Sequence, residues 1–294
     1  MDIKIFYSKD WHTYSLLDTG DGEKLERFGP YTFVRPLESA MWPKTLSSKE
    51  WAADGKFWSS KTGAKKGWQM KKGTLEEWEM SYKDIKFFSA PTPFRHFGFF
   101  PEQATHWDFI EEKISLAKTS GRKVKFLNLF GYTGVASLFA LRAGAEVTHV
   151  DASKQSLGWI KENQKLSGLE DMPMRIIEDD VLKFLAREEK RGNKYDAVIM
   201  DPPKHGRGPK GEIWQIEKDL PKLLEQVKKI LVHEPLFVIL TSYTTDYSSL
   251  APGYALGEIM KSFKGKIEVG ELCLKEESND RLVSLANTAV WSAN

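Results

Sequence analysis

The sequence contains one cysteine, Cys273, in 294 residues, so no intramolecular disulfide framework can form. No apolar run approaches the ~18 residues needed to cross a bilayer, and the opening "MDIKIFYSKD" has no apolar signal-peptide core. These absences predict a cytoplasmic protein with no membrane partner. An excess of one charge is also missing: 43 Lys and Arg face 41 Asp and Glu, for a net charge of +2. Any polyanion must therefore meet a local patch. Six scattered histidines and the single cysteine show no ligand spacing, so no metal is predicted. Repeats and low-complexity tracts are absent, and nothing in the composition sets an oligomeric state.

What is present reads as two halves, consistent with a soft prior of about 150 residues per domain. Of ten tryptophans, Trp11, Trp42, Trp51, Trp58, Trp68, Trp78 and Trp107 lie in the first 107 residues. Runs such as "YTFVRP", "KFWSS", "GWQMKK" and "EWEMSYKDIKFF" alternate apolar with polar residues between Gly, Pro and Lys, which predicts strands and hairpins. A β-rich N-terminal domain is expected over 1–94, as a substrate-recognition unit. Over 95–294 helical and strand patterns alternate: "VKFLNLF", "EVTHVD", "MRIIED", "DAVIMD" and "LFVILTS" are separated by helices. This predicts an α/β domain with a parallel, doubly wound sheet. The last two strand-like runs, "KIEVGELCLKE" and "LVSLANTAVW", have no helix between them, so an antiparallel strand is expected at the sheet edge.

"FLNLFGYTGVAS" leaves the first of these strands through Gly131 and Gly134. In open α/β sheets such a turn admits a ligand at the carboxyl ends of the strands. The next strand ends in Asp151, whose carboxylate can accept both hydroxyls of a ribose. A dinucleotide would call for G-x-G-x-x-G, whereas Tyr132 and Thr133 separate the only two glycines here. S-adenosylmethionine has no phosphate and tolerates a looser turn. Asp179 and Asp180 end the third strand, where a carboxylate can meet an adenine amino group or simply favour a helix N-terminus. The fourth strand runs into Asp201, Pro202, Pro203 and Lys204, a segment whose fixed φ aims its carbonyls at a substrate.

In this order the motifs resemble the class I S-adenosylmethionine-dependent methyltransferases, in particular the group that includes bacterial 23S ribosomal RNA large-subunit methyltransferases. The resemblance spans roughly residues 95 to 291. It implies a Rossmann-like sheet with an antiparallel C-terminal strand. Asn128, Phe130, Gly131, Thr133 and Gly134 would surround the methionine part of S-adenosylmethionine. Asp151, Ala152 and Ser153 would hold the ribose, and Asp179, Asp180 and Val181 the adenine. Phe100 and Gln103, in "FFPEQ", match a segment that covers the cofactor, while Asp201, Pro202, Pro203 and Lys204 would line the methyl-transfer position.

Relatives that methylate C5 of a pyrimidine use a cysteine thiolate, since that carbon is a poor nucleophile. Neither "DPPKHGRG" nor "LTSYTTDYSS", where such a cysteine would sit, contains one. Methylation at nitrogen or oxygen is therefore expected, with Cys273 as a buried apolar residue. The loop "KHGRGPKGE" offers Lys204, Arg207 and Lys210 as a phosphate grip. "KFWSSKTGAKKGWQMKKG" sets Lys65, Lys66, Lys71 and Lys72 among Trp58 and Trp68, which suits base stacking or, equally, a lysine-coated β core. RNA, ribosomal RNA first, is the leading substrate. A protein or small-molecule substrate, or a non-catalytic RNA-binding protein with a vestigial methyltransferase fold, remains the alternative.

Overall fold

The computed structural model describes residues 2–59, 67–243 and 247–294. Lys65, Lys66 and part of "LTSYTTDYSS" fall outside them. Contacts divide the chain into two units: Met1–Phe6, Thr105–Leu272 and Leu285–Asn294 form one, and Tyr7–Ala104 and Cys273–Ser284 the other. The head of the chain thus counts with the C-terminal half and a tail segment with the N-terminal half, an interleaving that a single cut at 94/95 does not express.

The first strand, β1 (Ile3–Phe6), runs parallel to residues 269–272 in the larger unit. In the N-terminal unit β2 (Tyr14–Gly20), β3 (Glu23–Phe28), β4 (Tyr31–Pro36), β5 (Gly55–Trp58) and β6 (Gly67–Met70) form one sheet in that order. β7 (Trp78–Tyr82) and β8 (Ile85–Ser89) form a hairpin. The β2–β3 turn places Asp21 and Gly22 at φ 51° and 78°, the doubly left-handed geometry of a tight hairpin turn. Phe28, Phe33, Phe97 and Trp78 pack as the aromatic core, with Phe33 and Trp78 stacked at 5.6 Å. Trp68 belongs to this core as well, 4.9 Å from Phe97, with its Nε1 donating to Thr92 O at 2.8 Å. The indole is half-buried and packs on three phenyl neighbours, Phe33, Phe57 and Phe97.

The larger unit continues with α1 (Ala104–Thr119), β9 (Lys125–Leu129), α2 (Val135–Arg142), β10 (Glu146–Asp151), α3 (Lys154–Leu166), β11 (Met174–Glu178), α4 (Val181–Arg191) and β12 (Ala197–Met200). There follow β13 (His205–Arg207), β14 (Ile213–Gln215), α5 (Ile216–Ile230), β15 (Phe237–Ser242), α6 (Leu250–Met260), β16 (Gly265–Lys275) and β17 (Leu282–Ala293). The sheet order is β1-β16-β17-β15-β12-β9-β10-β11. Its central strands are buried on both faces, which is why they read as unbroken apolar runs. Leu127, Leu129, Val198, Met200, Val238 and Leu240 join one core, while Phe126, Ala197, Ile199, Phe237 and Ile239 join the other.

β17 is antiparallel to β15, from Phe237↔Ser292 to Ser242↔Asn287. It is not the edge, however, because it lies between β15 and β16. Its Ala289 and Trp291 join one core and Val290 the other, so both of its faces are covered. The edges are β1 and β11, and in β1 Ile3 and Ile5 remain about half exposed (49% and 48%). The segment "KHGRGPKGE" also differs from the expected loop: β13 and β14 pair as an antiparallel hairpin, Arg207↔Ile213 to His205↔Gln215.

Candidate active site

Four strands end together. Leu129 of β9 is in register with Val150 of β10 and Met200 of β12, and Asp151 is opposite Glu178 of β11. The segments 130–134, 151–153, 179–181 and 201–204 therefore leave the sheet along one edge, the carboxyl edge where open α/β sheets place ligands.

The first segment is a closed turn. Gly131 N donates to Val150 O (3.0 Å) and Gly134 N to Gly131 O (3.0 Å). Phe130 and Tyr132 take φ of 58° and 52°, unusual for residues with a Cβ and found at sites held by their surroundings. Gly134 is left-handed at φ 86°, and a Cβ there would fall 1.7 Å from Ile160 Cδ1. At Gly131 a Cβ would lie 2.2 Å from His149 Cε1. Thr133 is buried, and its carbonyl accepts Asn163 Nδ2 at 3.0 Å.

Beneath the turn lies a polar network that the sequence did not reveal. Asn128 Nδ2 donates to Ser137 Oγ (3.0 Å), which lies 3.0 Å from His149 Nδ1, all three side chains being buried. Burial holds the His149 pKa down at about 4, so the ring is neutral there. Asn128 thus turns its amide inward, to the underside of the glycine turn. "VTHVD" alone could have raised the question of why a histidine sits in a buried strand.

Asp151 Oδ2 accepts Tyr132 N and Oδ1 accepts Ser153 N, each at 2.8 Å. Burial raises its pKa and these backbone bonds oppose the rise. Each carboxylate oxygen keeps a further lone pair, enough to take the two hydroxyls of a ribose. Ala152 follows, and Ser153 caps α3 by accepting Ser156 N at 3.2 Å. Asp179 is ion-paired with Arg187 and accepts Asp180 N at 2.9 Å. Asp180 caps α4 through Lys183 N (3.0 Å), and Val181 is buried in the core. The Asp pair thus includes a helix cap, as the plainer reading of "EDDV" expected.

The fourth segment is braced from beyond itself. Asp201 N donates to Leu129 O at 3.4 Å, and Pro202 is buried while Pro203 and Lys204 are exposed. Pro203 O accepts Trp214 Nε1 at 2.6 Å, and Lys204 O accepts Ile216 N at 3.1 Å. The Trp214 ring lies 5.0 Å from Phe130. Trp214 therefore links the glycine turn to the proline segment, a role that no motif of the sequence marks. Arg207 is exposed on β13 and Lys210 on the hairpin turn. Lys183 pairs with Glu212 of the same hairpin. Phe100 and Gln103 lie in the N-terminal unit, at a 3-10 turn over Pro101–Gln103, with Gln103 buried and the Phe100 ring 4.8 Å from His96. Among the described residues no His, Cys, Asp and Glu cluster could hold a metal.

These features define a class of protein, an α/β domain built to hold a nucleoside cofactor without a pyrophosphate loop. The donor set fits S-adenosylmethionine: a ribose-type carboxylate at Asp151, a tight neutral turn and no third glycine. The family described as Conserved hypothetical protein 95 matches residues 107–245. A SAM-dependent methyltransferase of Agrobacterium tumefaciens, solved by crystallography, is 40% identical with a TM-score of 0.93 over 100% of this chain and 95% of that one. The chain belongs to the class I S-adenosylmethionine-dependent methyltransferases. It is also similar to ribosomal RNA large subunit methyltransferase K of Neisseria meningitidis, at 32% identity over 47% of this chain and 40% of that protein. Methyltransferase I of Aeromonas salmonicida is 40% identical over 29% of this chain and 22% of that protein. The chain thus spans less than half the length of these curated relatives.

Proposed function

We propose that the protein transfers a methyl group from S-adenosylmethionine to a nitrogen or oxygen of an RNA base, ribosomal RNA being the first candidate, in the cytoplasm. The observation that carries this reading is the shared edge of four strands, where Asp151 and the Gly131–Gly134 turn stand beside a braced Asp201-Pro202-Pro203-Lys204 segment. The relatives named as ribosomal RNA methyltransferases support the choice of RNA.

S-adenosylmethionine supplies an electrophilic methyl carbon on a sulfonium. Asp151 would fix the ribose, and the turn at 130–134 would orient the methionine end. Asn128 would act from below, through Ser137 and His149. Asp179 and Val181 would border the adenine. Methyl transfer needs alignment above all. The two prolines and the Trp214 bond supply it by holding the carbonyls of 201–204 in one conformation. A base within a duplex cannot reach such a segment, so the target is unpaired or flipped. The sole thiol, Cys273, is buried in β16 at 1% exposure and is not suited to attack a pyrimidine ring. Lys204, Arg207 and Lys210 would meet phosphates beside the target.

The test is incubation of the protein with isotopically labelled S-adenosylmethionine and ribosomal RNA from a strain lacking the gene, followed by mass spectrometry of the nucleosides. A new methylated nucleoside, absent from the deletion strain and present in its parent, is expected. Label transfer to protein with none to RNA would favour the protein-substrate reading.

A further inference from the structure

The cofactor turn rests on a histidine. His149 is fully buried in β10, where Val147 and Val150 show what the strand otherwise carries. A buried polar ring costs free energy unless its nitrogens are satisfied. Gly131, unlike Gly134, has no left-handed φ, so its backbone conformation does not require glycine. Contact does: a Cβ there would fall 2.2 Å from His149 Cε1 and 2.5 Å from Nδ1. The imidazole occupies the side-chain space of Gly131, and the turn lies directly on the ring.

The neighbours of the two ring nitrogens fix where the proton sits. Nδ1 lies 3.0 Å from Ser137 Oγ, and that oxygen already accepts Asn128 Nδ2 at 3.0 Å. The Ser137 proton is therefore available to Nδ1. No described residue gives Nε2 a hydrogen bond of normal length and angle, but the Tyr132 backbone acts on the ring, favouring the proton that burial opposes. An N–H would do the reverse, and the Tyr132 N–H is held by Asp151 Oδ2 at 2.8 Å. The group facing the ring is thus the Tyr132 carbonyl. A neutral imidazole suits both neighbours only as the Nε2–H tautomer, with Nδ1 accepting from Ser137 and Nε2–H directed at the carbonyl. The other tautomer would set a nitrogen lone pair against a carbonyl oxygen.

Tyr132 is thereby held on both sides. Its N–H is tied to Asp151 and its carbonyl faces His149, so the two peptide planes flanking its Cα are set, and with them the φ of 52°. We propose that His149 is a positioning residue for the cofactor: its Nε2–H, with Nδ1 anchored through Ser137 to Asn128, fixes the Tyr132 peptides that aim the Asp151 carboxylate at the ribose. Asn128 on the methionine side of the site and Asp151 on the ribose side are joined through this ring. The proposal rests on S-adenosylmethionine lying at this strand edge and needs no RNA.

The experiment uses the full chain, with S-adenosylhomocysteine affinity measured by titration calorimetry and stability by urea unfolding. Gln in place of His sets its amide nitrogen near the position of Nε2, whereas Asn sets its amide near Nδ1 and leaves nothing at Nε2. His149→Gln is therefore expected to bind within about twofold of wild type, and His149→Asn roughly three- to tenfold more weakly, the range of one hydrogen bond. His149→Phe keeps a ring under Gly131 and loses both nitrogens, so it should bind no better than His149→Asn. All three should lose stability, so the order of affinities is the readout that a merely structural ring would not produce. Nitrogen-15 spectra of histidine-labelled wild type should show a neutral ring protonated at Nε2, with signals that vanish in His149→Gln. If His149→Phe does not fold, the Gln and Asn variants and the wild-type spectrum still decide. A ring protonated at Nδ1, or equal affinities for the Gln and Asn variants, overturns the positioning role and leaves the cofactor site standing. A wild type that binds no S-adenosylhomocysteine overturns both.

Discussion

Asp151 places its two oxygens under two different backbone N–H groups, so its loss removes support from the turn as well as a ribose contact. Asp151→Ala should weaken S-adenosylmethionine binding by ~1.5–3 kcal/mol, the usual worth of hydrogen bonds to a charged group. Titration calorimetry showing unchanged affinity would remove Asp151 from the site. Gly134 tests the turn from the other side. Gly134→Ala meets both a left-handed φ and Ile160, and strain of ~1 kcal/mol plus overpacking of ~1–3 kcal/mol gives an expected loss of ~2–4 kcal/mol in urea unfolding. Gly211 has the same φ of 86° with nothing within 4 Å of the would-be Cβ, so Gly211→Ala should cost only ~1 kcal/mol. Equal losses at the two positions would mean that Ile160 yields freely. Gly131, Gly134, Asp151 and the double proline were legible because each interrupts an apolar strand in one dimension. His149 and Ser137 were not: their contact exists only once α2 has packed on β10, and a polar residue in a buried strand looks like noise until its partner is known.

The β13–β14 hairpin is the element on which the reading of the substrate turns. Its Trp214 bonds the Pro203 carbonyl at 2.6 Å, so the proline segment is held by tertiary structure as well as by its own fixed φ. Trp214→Phe keeps the ring beside Phe130 and loses the donor. One hydrogen bond of ~0.5–1.5 kcal/mol corresponds to a several-fold fall in turnover, with S-adenosylmethionine affinity unchanged. A variant that lost cofactor affinity and kept turnover would contradict that assignment. The exposed cations of the hairpin have a separate signature. Arg207→Ala with Lys210→Ala should weaken RNA binding across sequences and reduce the salt slope by roughly 1 to 2, since each phosphate contact contributes ~0.7–0.9. An unchanged slope would mean that phosphates are gripped elsewhere. Strands of three residues are too short to repeat the two-residue alternation, so "KHGRGPKGE" read as a loop. The longer strands at the sheet centre announced themselves through continuous apolar runs, although their order did not: the place of β17 between β15 and β16 depends on which backbone edges pair, which no single strand's pattern states.

At the scale of the whole chain, the alternation of helices and strands was legible because it repeats, whereas the interleaved units were not, since β1 carries too few residues to declare its partner. Buried ionisable groups lie still further from sequence reading, and they set the response to pH. His106 is buried and lies 2.9 Å from Thr288 Oγ1, and burial lowers its pKa to about 3. His149 stands at about 4. In the N-terminal unit burial, with Arg35 and Arg95 nearby, brings His96 to about 3. An unfolded histidine titrates near 6.5. All three pKa values are depressed, so the unfolded chain binds more protons below 6.5. Stability is then fully present above that pH and falls as pH drops from 6.5 toward 4 and then 3. Between pH 7.5 and 5.5 each histidine should remove about 1.3 kcal/mol. Glu26 acts lower: burial would raise its pKa, but Arg35 and Lys24 outweigh it and hold the group at about 2, so its contribution disappears only below about 4.5. Urea unfolding at pH 7.5, 6.5 and 5.5 reads this directly. If the units unfold in separate steps, the unit with His106 and His149 should lose about twice as much over that interval as the unit with His96. His106→Gln should cut the larger loss by half. A stability that stays flat from pH 7.5 to 5.5 would show that these rings find protons, or water, in the folded protein after all.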